Sequence, residues 1–195
     1  MDTFITEYND DNIKSIIIEK ERFFHDKIQS QNLEINSKTI KWKKYPLVDG
    51  FDGTYFHIIT KSYLNQDISC CPNRIISCPR IFNYNPLMDP SIPDNKKRAI
   101  CPHKIQCIYV LEKFFENPQL LSWDNMETTP QGRRKRIKFL DEEKKYIVIL
   151  EEKPNGSIVF WTAYPIDYNH KVEKLKKQFY RYIHNGGLPY NVIIK

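Results

Sequence analysis

Glycine is scarce in this sequence, with only 6 glycines among 195 residues. Phosphate-binding loops of nucleotide-dependent enzymes need glycines at fixed spacing, because the backbone must approach the phosphates closely. Neither the GxGxxG nor the GxxxxGK[ST] pattern is present. The sequence therefore argues against a nucleotide-dependent enzyme.

A long apolar run is also lacking, so we expect no membrane span and no membrane partner. The first residues, MDTFITEYNDDN, are acidic and polar, unlike a signal peptide. The five cysteines are odd in number, and without a signal peptide we expect them to be reduced thiols. We therefore predict a cytoplasmic site of action. An effector exported by a dedicated, non-classical route would have the same features.

Converging acidic residues are lacking too. Asp and Glu are scattered along the chain, and the adjacent Glu151 and Glu152 would point to opposite faces of a strand. A two-metal nuclease needs carboxylates that converge on its ions. No Ser or Cys lies in a recognisable nucleophile elbow. These absences argue against metal-dependent phosphodiester cleavage, and we expect no cofactor.

Cysteine and histidine give one zinc candidate, made of Cys71, Cys78, Cys101 and His103. Thiolate and imidazole ligands suit zinc. The spacing is poor, because six residues separate Cys71 from Cys78 and Cys101-x-His103 is tighter than a normal CxxC knuckle. We expect buried thiols and no metal. A structural zinc protein that uses a cysteine-rich loop is kept as an alternative.

Positive charge is what the sequence has in excess, with 30 Lys and Arg against 24 Asp and Glu and a net charge of +6. Five of the six residues from Arg133 to Lys138 are basic, and they run into a predicted strand. Side chains alternate between the two faces of a strand. One face of this strand would carry Arg134, Arg136 and Lys138, and the other would carry Ile137 and Phe139. We predict a fixed cationic surface over a hydrophobic floor, suited to a polyanion such as RNA.

Arginine and lysine contribute differently to such a surface. Arg matches phosphate oxygens bidentately, whereas Lys acts as a point charge. Arg134 and Arg136 are therefore the preferred phosphate ligands. The further substrate-binding candidates are Arg133, Lys135, Lys138 and Trp161. The alternative is a solvated edge-strand face whose charges discourage aggregation.

The apolar periodicity predicts an α+β fold, in which a small antiparallel sheet packs against helices. Helices are predicted over 12–30, about 103–116 and 169–183, and a strand over 54–60. Residues 133–164 have the pattern of a three-stranded antiparallel meander, with a hairpin turn at Pro154-Asn155-Gly156. Prolines between 64 and 96 indicate a long inserted loop. We assign 1–48 to an N-terminal helix and connector packed on the main domain, and 49–195 to that domain.

His57 is the candidate proton-transfer group. It lies in the predicted strand 54–60, and Lys61, four residues on, would share its face if the strand continued. Histidine exchanges a proton near neutral pH, and a nearby lysine stabilises a phosphorane. The alternative is a half-buried histidine that hydrogen-bonds to a backbone group.

Thr162 and Tyr164 share a face near the end of the last predicted strand. Their hydroxyls have the chemistry to donate to a phosphate oxygen, and Tyr164 has a ring that can stack on a base. Structural threonines and tyrosines are also common in strands.

The order of several segments resembles that of BECR-fold proteins, named from barnase, EndoU, colicin-type tRNases and RelE. The phage-associated members of this group have a similar layout. The matching segments are 55–61, 97–118, 133–137, 146–152 and 162–165, within about residues 50 to 180. The proline-rich insertion at 70–96 departs from the compact pattern of that fold.

The resemblance implies a metal-independent ribonuclease, often used as a toxin, in which a ribose 2′-hydroxyl attacks the adjacent phosphate. It implies that His57 is the general base or acid. Lys61, Arg134 and Arg136 would stabilise the phosphorane, and Thr162 and Tyr164 would orient the phosphate or base.

We therefore predict a metal-independent endoribonuclease, acting as a toxin on tRNA or another structured RNA, with an immunity or antitoxin protein as a further partner. The alternative is a non-catalytic phage or bacterial module that binds nucleic acid or a host protein on a nuclease-like fold, because fold does not fix function.

Overall fold

The computed structural model describes residues 11–43, 47, 50–62, 98–129 and 132–195, with the backbone alone at 61, 62, 98 and 99. The proline-rich segment at 64–96, with Cys71 and Cys78, lies outside the described residues. The helices are α1 (Ile13–Phe23), α2 (Gly53–Ile59), α3 (Pro102–Gln106) and α4 (Asn169–His184). A π-helical segment, Phe24–Gln29, continues α1, and 3-10 segments lie at Cys107–Leu111 and Phe114–Glu116.

Nine strands form two sheets in the described part of the chain. They are β1 (Leu33–Ile35), β2 (Lys38–Lys41), β3 (Thr60–Ser62), β4 (Arg98–Ile100), β5 (Leu121–Thr129), β6 (Gly132–Asp141), β7 (Tyr146–Glu152), β8 (Ile158–Pro165) and β9 (Val192–Ile194). Seven strands pair in the order β5-β6-β7-β8-β2-β1-β9, and β3 pairs with β4. Only the β2–β8 pairing of the larger sheet is parallel.

The α+β class is confirmed, and the predicted meander corresponds to β6, β7 and β8. The sheet is larger than predicted because β5, β2, β1 and β9 extend it, and it is mixed because β2 pairs parallel with β8. The predicted helix at 103–116 is a short α3 followed by two 3-10 segments. The parallel pairing of Ile40 with Ile158 joins the N-terminal segment to the meander. The domain boundary at residue 48 stays a prediction.

The strand predicted over 54–60 is wrong, because residues 54–59 lie in α2 and only Thr60 belongs to a strand, β3. Asp52 caps this helix, and its carboxylate accepts hydrogen bonds from the backbone N–H groups of Thr54 and Tyr55 at 2.8 and 3.3 Å. Four apolar side chains of α2 are buried at helical spacing, namely Tyr55, Phe56, Ile58 and Ile59. A short apolar run is compatible with either structure, and the cap decides for the helix.

Each face of the larger sheet carries a hydrophobic cluster. The larger cluster packs α1, α2 and the 3-10 segments against residues such as Ile137 and Phe139. The smaller cluster contains Trp123, Leu140 and Ile147, against which α4 packs. Helix α4 thus covers one end of this second face and leaves the other end to polar residues. In the part of the chain that is described, no helix is long and apolar enough to cross a bilayer.

Candidate functional site

The alternation predicted for the basic strand is present in β6. Ile137 and Phe139 belong to the larger hydrophobic cluster. Arg134, Arg136 and Lys138 point to the opposite face, beyond the area that α4 covers. We call this area the polar face; its members are Glu127, Arg134, Arg136, Lys138, Glu151, Lys153 and Trp161.

Arg136 lies at the centre of the polar face. Its Nη1 forms an ion pair with Glu151, and its Nε lies 3.8 Å from the Glu127 carboxylate. The side chain of Arg136 is only 6% exposed and that of Glu151 only 2%. Burial lowers the pKa of Arg136, and the charges of Glu151 and Glu127 oppose that shift. The guanidinium stays charged, since arginine does not lose its proton in proteins.

Glu151 gathers three cations, two from β6 and one from the turn after β7. Besides Arg136, it pairs with Lys153, and Arg134 Nε lies 4.0 Å from its carboxylate. A buried carboxylate is stable only when it is paired, so Glu151 holds these cations together. The cationic surface expected from the sequence is therefore neutralised in part by carboxylates from the neighbouring strands.

Glu127 of β5 is the accessible carboxylate of the polar face, with a side chain that is 40% exposed. Lys138 Nζ lies 2.9 Å from Glu127 Oε1. Partial burial raises the pKa of Glu127, but the hydrogen bond from Lys138 and the charges of Lys138 and Arg136 outweigh it. The net shift is downward, so Glu127 is ionised at neutral pH.

A β-bulge in β8 brings Trp161 to the polar face. Leu150 pairs with Phe160 and Ile149 pairs with Thr162, so the register shifts and Trp161 has no partner opposite it on β7. The Trp161 ring lies 4.0 Å from the Arg136 guanidinium carbon. Trp161 is thereby aimed at the central cation.

His57 borders the polar face from α2. Its ring centroid lies 5.8 Å from that of Trp161, with the two planes tilted by 52°. His57 is half-buried. The histidine predicted as proton-transfer group and the preferred phosphate ligand Arg136 thus contact the same indole, although His57 is carried by a helix.

Thr162 and Tyr164 lie in β8, just after Trp161 of the polar face. Thr162 is buried, and Tyr164 packs against the smaller hydrophobic cluster. Burial, followed by the charge of Glu127, raises the pKa of Tyr164, so its hydroxyl keeps its proton. Lys104 of α3 lies 5.6 Å from the Tyr164 ring and donates to the Thr60 carbonyl oxygen at 2.7 Å. Lys104 was not among the candidates selected from the sequence.

Two of the candidates lie elsewhere, and a third is described by its backbone alone. Lys135 points to the opposite face, where its Nζ lies 3.2 Å from Glu152 and 3.5 Å from Asp124. Arg133 is exposed and lies opposite Thr128 at the start of β6. Lys61 lies in β3, opposite Ala99. The strand that was to place Lys61 on the face of His57 is a helix, so that argument for their proximity does not hold.

A groove of about 680 Å³ connects the polar face with the C-terminal end of α4. Glu127 and Lys138 line it from the sheet, and Gln178 and Arg181 line it from the helix. Two further lining residues, Trp123 and Asn125, have buried polar atoms (Nε1 and Oδ1) with no hydrogen-bond partner among the described residues. A polar ligand or water in the groove would satisfy such atoms.

The zinc candidate is only partly described. Cys101 is buried, and His103 Nδ1 lies 3.2 Å from an Asp167 oxygen. Outside residues 1–10, 44–46, 48–49, 63–97 and 130–131, no three His, Cys, Asp or Glu side chains converge in a way that would hold a metal. Cys71 and Cys78 fall in those gaps, so this candidate stays untested.

The two carboxylates of the polar face were missed from the sequence. Glu127 lies in β5, whose polar sequence, LSWDNMETT, lacks a clear alternation. Glu151 was considered only as half of an acidic pair. The signal that would have found both is the pairing register, which sets Arg134 opposite Glu127 and Arg136 opposite Glu151.

Comparison with known proteins finds no matching family model, no matching curated protein and no matching solved structure.

Proposed function

We propose that this protein is a metal-independent endoribonuclease that acts on tRNA or another structured RNA, and that the polar face holds the scissile phosphodiester. One observation carries the proposal. Arg136 and His57 both lie against the Trp161 ring at the uncovered end of a sheet face, and Glu127 pairs with Arg136. A fixed cation, an ionised carboxylate and an imidazole are the groups that cleavage without a metal requires.

The proposed reaction is transesterification by the ribose 2′-hydroxyl. Its oxygen forms a bond to the adjacent phosphorus, and its proton passes to a base. The P–O5′ bond breaks, and an acid protonates the departing 5′-oxygen. The products are a 2′,3′-cyclic phosphate and a 5′-hydroxyl end, so atoms and charge balance without a metal or an oxidant.

The polar face supplies a candidate for each role. We assign proton acceptance to Glu127, because it is ionised and the more exposed of the two carboxylates. His57 is the complementary acid. Arg136 and Arg134 stabilise the negative charge that develops on the phosphorane, while Lys138 holds Glu127. Glu151 positions the two arginines.

Tyr164, Thr162 and Lys61 keep the roles implied by the BECR resemblance, which itself remains part of the proposal. The hydroxyl of Tyr164 stays protonated, which is what donation of a hydrogen bond to a phosphate oxygen requires. As a toxin the protein would act in the cytoplasm and would need an immunity or antitoxin partner, for which the polar face is the natural target. Digestion of RNA in EDTA, with analysis of the ends formed, tests the proposal.

The second candidate function is binding of nucleic acid or a host protein without catalysis. Arg136 and Lys138 are largely buried, and both already pair with glutamates, which favours a structural role for these cations. Salt-sensitive RNA binding without turnover would support this alternative.

A further inference from the structure

Helix α4 carries a row of basic side chains along its exposed side. His170, Lys174, Lys177, Arg181 and His184 are all exposed and follow one another at intervals of four and three residues. This spacing keeps them on one side of an α-helix. We call these five residues the α4 stripe. At the rise of an α-helix, it extends about 21 Å.

The stripe lies opposite the packed side of α4. Val172, Leu175 and Phe179 face the smaller hydrophobic cluster. Lys176 is held by Glu142 and Glu173 at 2.8 and 3.4 Å. By contrast, Lys174, Lys177 and Arg181 enter no ion pair with any residue that the structure describes. Ion pairing thus accounts for the charge of Lys176 but not for the charge of the stripe.

The stripe is continuous with the polar face. Arg181 lines the groove whose other wall contains Lys138 and Glu127. Arg181 therefore joins the α4 stripe to the edge of the polar face, where Lys138 and Arg136 are largely buried and paired with glutamates. An extended polyanion that reached the polar face through this groove would continue along the stripe.

We propose that the groove and the α4 stripe form a track that binds the sugar–phosphate backbone of the RNA next to the scissile linkage. This inference rests on the proposed function and names the part of the substrate that lies outside the polar face. The occupant is a structured RNA, because the exposed cations Lys174, Lys177 and Arg181 follow one another along α4 and match successive phosphates. The track contributes affinity and leaves the chemical step to the polar face.

The stripe variant Lys174→Gln, Lys177→Gln, Arg181→Gln tests the track. Glutamine keeps the helix propensity of lysine and arginine, and the three side chains are exposed, so the fold is retained. The matched control is Arg22→Gln, Lys27→Gln, Lys113→Gln, which removes the same charge from exposed positions on the side of the larger hydrophobic cluster. Equal net charge in the two variants separates a local track from the overall charge.

The probe is a fluorescein-labelled RNA hairpin of about 20 nucleotides, long enough to place several phosphates on the track. Every ribose carries a 2′-O-methyl group, so the hairpin cannot be cleaved by 2′-hydroxyl attack. We expect the stripe variant to raise Kd at least tenfold and to reduce the slope of log Kd against log salt by about 2, since each lost phosphate contact removes 0.7–0.9. The control should keep the wild-type slope. Equal Kd values and slopes for the two variants would overturn the track.

A short cleavable RNA separates this inference from the proposed function. If wild-type protein cleaves a trinucleotide, the partial stripe variant Lys174→Gln, Lys177→Gln should cleave it at the wild-type rate, because these two residues do not line the groove next to Glu127. Slower cleavage of the trinucleotide by this partial variant than by the control would contradict a pure binding role. If wild-type protein cleaves no RNA, the endoribonuclease proposal fails, yet stripe-dependent binding of the methylated hairpin would still support the track.

Discussion

The guanidinium of Arg136 lies over the indole of Trp161, with its central carbon 4.0 Å from the ring centroid. Stacking fixes the plane of the guanidinium, and Glu151 and Glu127 hold its nitrogens. A cation–π contact is worth about 0.5–2 kcal/mol, depending on solvent exposure. The central cation of the polar face is therefore held in one geometry before any ligand arrives.

Replacing Arg136 should destabilise the protein. Arg136→Ala leaves the buried carboxylate of Glu151 with Lys153 as its main remaining partner. We expect the free energy of unfolding in urea to fall by about 3 kcal/mol, the lower end for breaking a buried pair. Lys153→Ala, at a more exposed position, should cost at most about 1 kcal/mol.

A second substitution tests whether the unpaired carboxylate of Glu151 causes the lower stability of Arg136→Ala. Adding Glu151→Gln to Arg136→Ala removes the carboxylate that lacks its partner, so the double variant should recover part of the lost stability. A double variant less stable than Arg136→Ala would show that the buried charge is not the cause.

Replacing Glu127 should remove activity while keeping the fold. Glu127→Gln preserves the shape of the side chain but takes away the proton acceptor. We expect kcat for RNA cleavage to fall by about 100-fold or more, as is typical for the loss of a general base. Glu143→Gln, at an exposed position in the β6–β7 turn, is the matched control and should keep wild-type kcat. Equal activity of the two variants would exclude Glu127 from the chemistry.

The cap of α2 should matter for stability and for the position of His57. Asp52→Ala removes the acceptor of two backbone N–H groups, and we expect a loss of about 1 kcal/mol in the free energy of unfolding. Asp26→Ala, at an exposed position near the end of the first helical region, should have little effect. Equal stabilities for the two variants would mean that the cap does not hold α2.

The same cap explains where sequence reasoning failed. Asp52-Gly53 has the pattern of a turn, and the apolar run after it is as short as a strand. The carboxylate of Asp52 instead starts a helix, and Tyr55 anchors it by donating its hydroxyl to the Ile17 carbonyl oxygen at 2.6 Å. That hydrogen bond joins residues 38 positions apart, so it could not be predicted from the local periodicity of the sequence.

The meander was predictable because its signals are local. Pro154-Asn155-Gly156 marks the hairpin, and Gly156 adopts the left-handed conformation that favours glycine, with φ of 77°. Alternation fixed the faces of β6. The ion pairs of Arg136 with Glu127 and Glu151 depend on strand register, which the sequence did not specify for an edge strand as polar as β5. The face of a side chain was therefore predictable, but its charge environment was not.

The free energy of unfolding should fall in acid, in part because Glu152 becomes protonated. Burial raises the pKa of Glu152, but hydrogen bonds from Lys38 and Lys135 outweigh it and leave the pKa below the ordinary value of 4.5. A lowered folded-state pKa stabilises the fold above pH 4.5, and this contribution is lost as the pH falls through the folded-state pKa. Urea unfolding between pH 7 and pH 3 should show this loss, and Glu152→Gln should reduce it. If the free energy of unfolding of Glu152→Gln depended on pH as that of the wild-type protein does, Glu152 would not be the source of the acid effect.

The most direct test is RNA digestion by purified protein in EDTA, with identification of the ends produced. The account predicts cleavage by the wild-type protein that leaves 2′,3′-cyclic phosphates, and inactivation by His57→Ala and by Arg136→Ala. Absence of cleavage by wild-type protein, or undiminished cleavage by both variants, would contradict it.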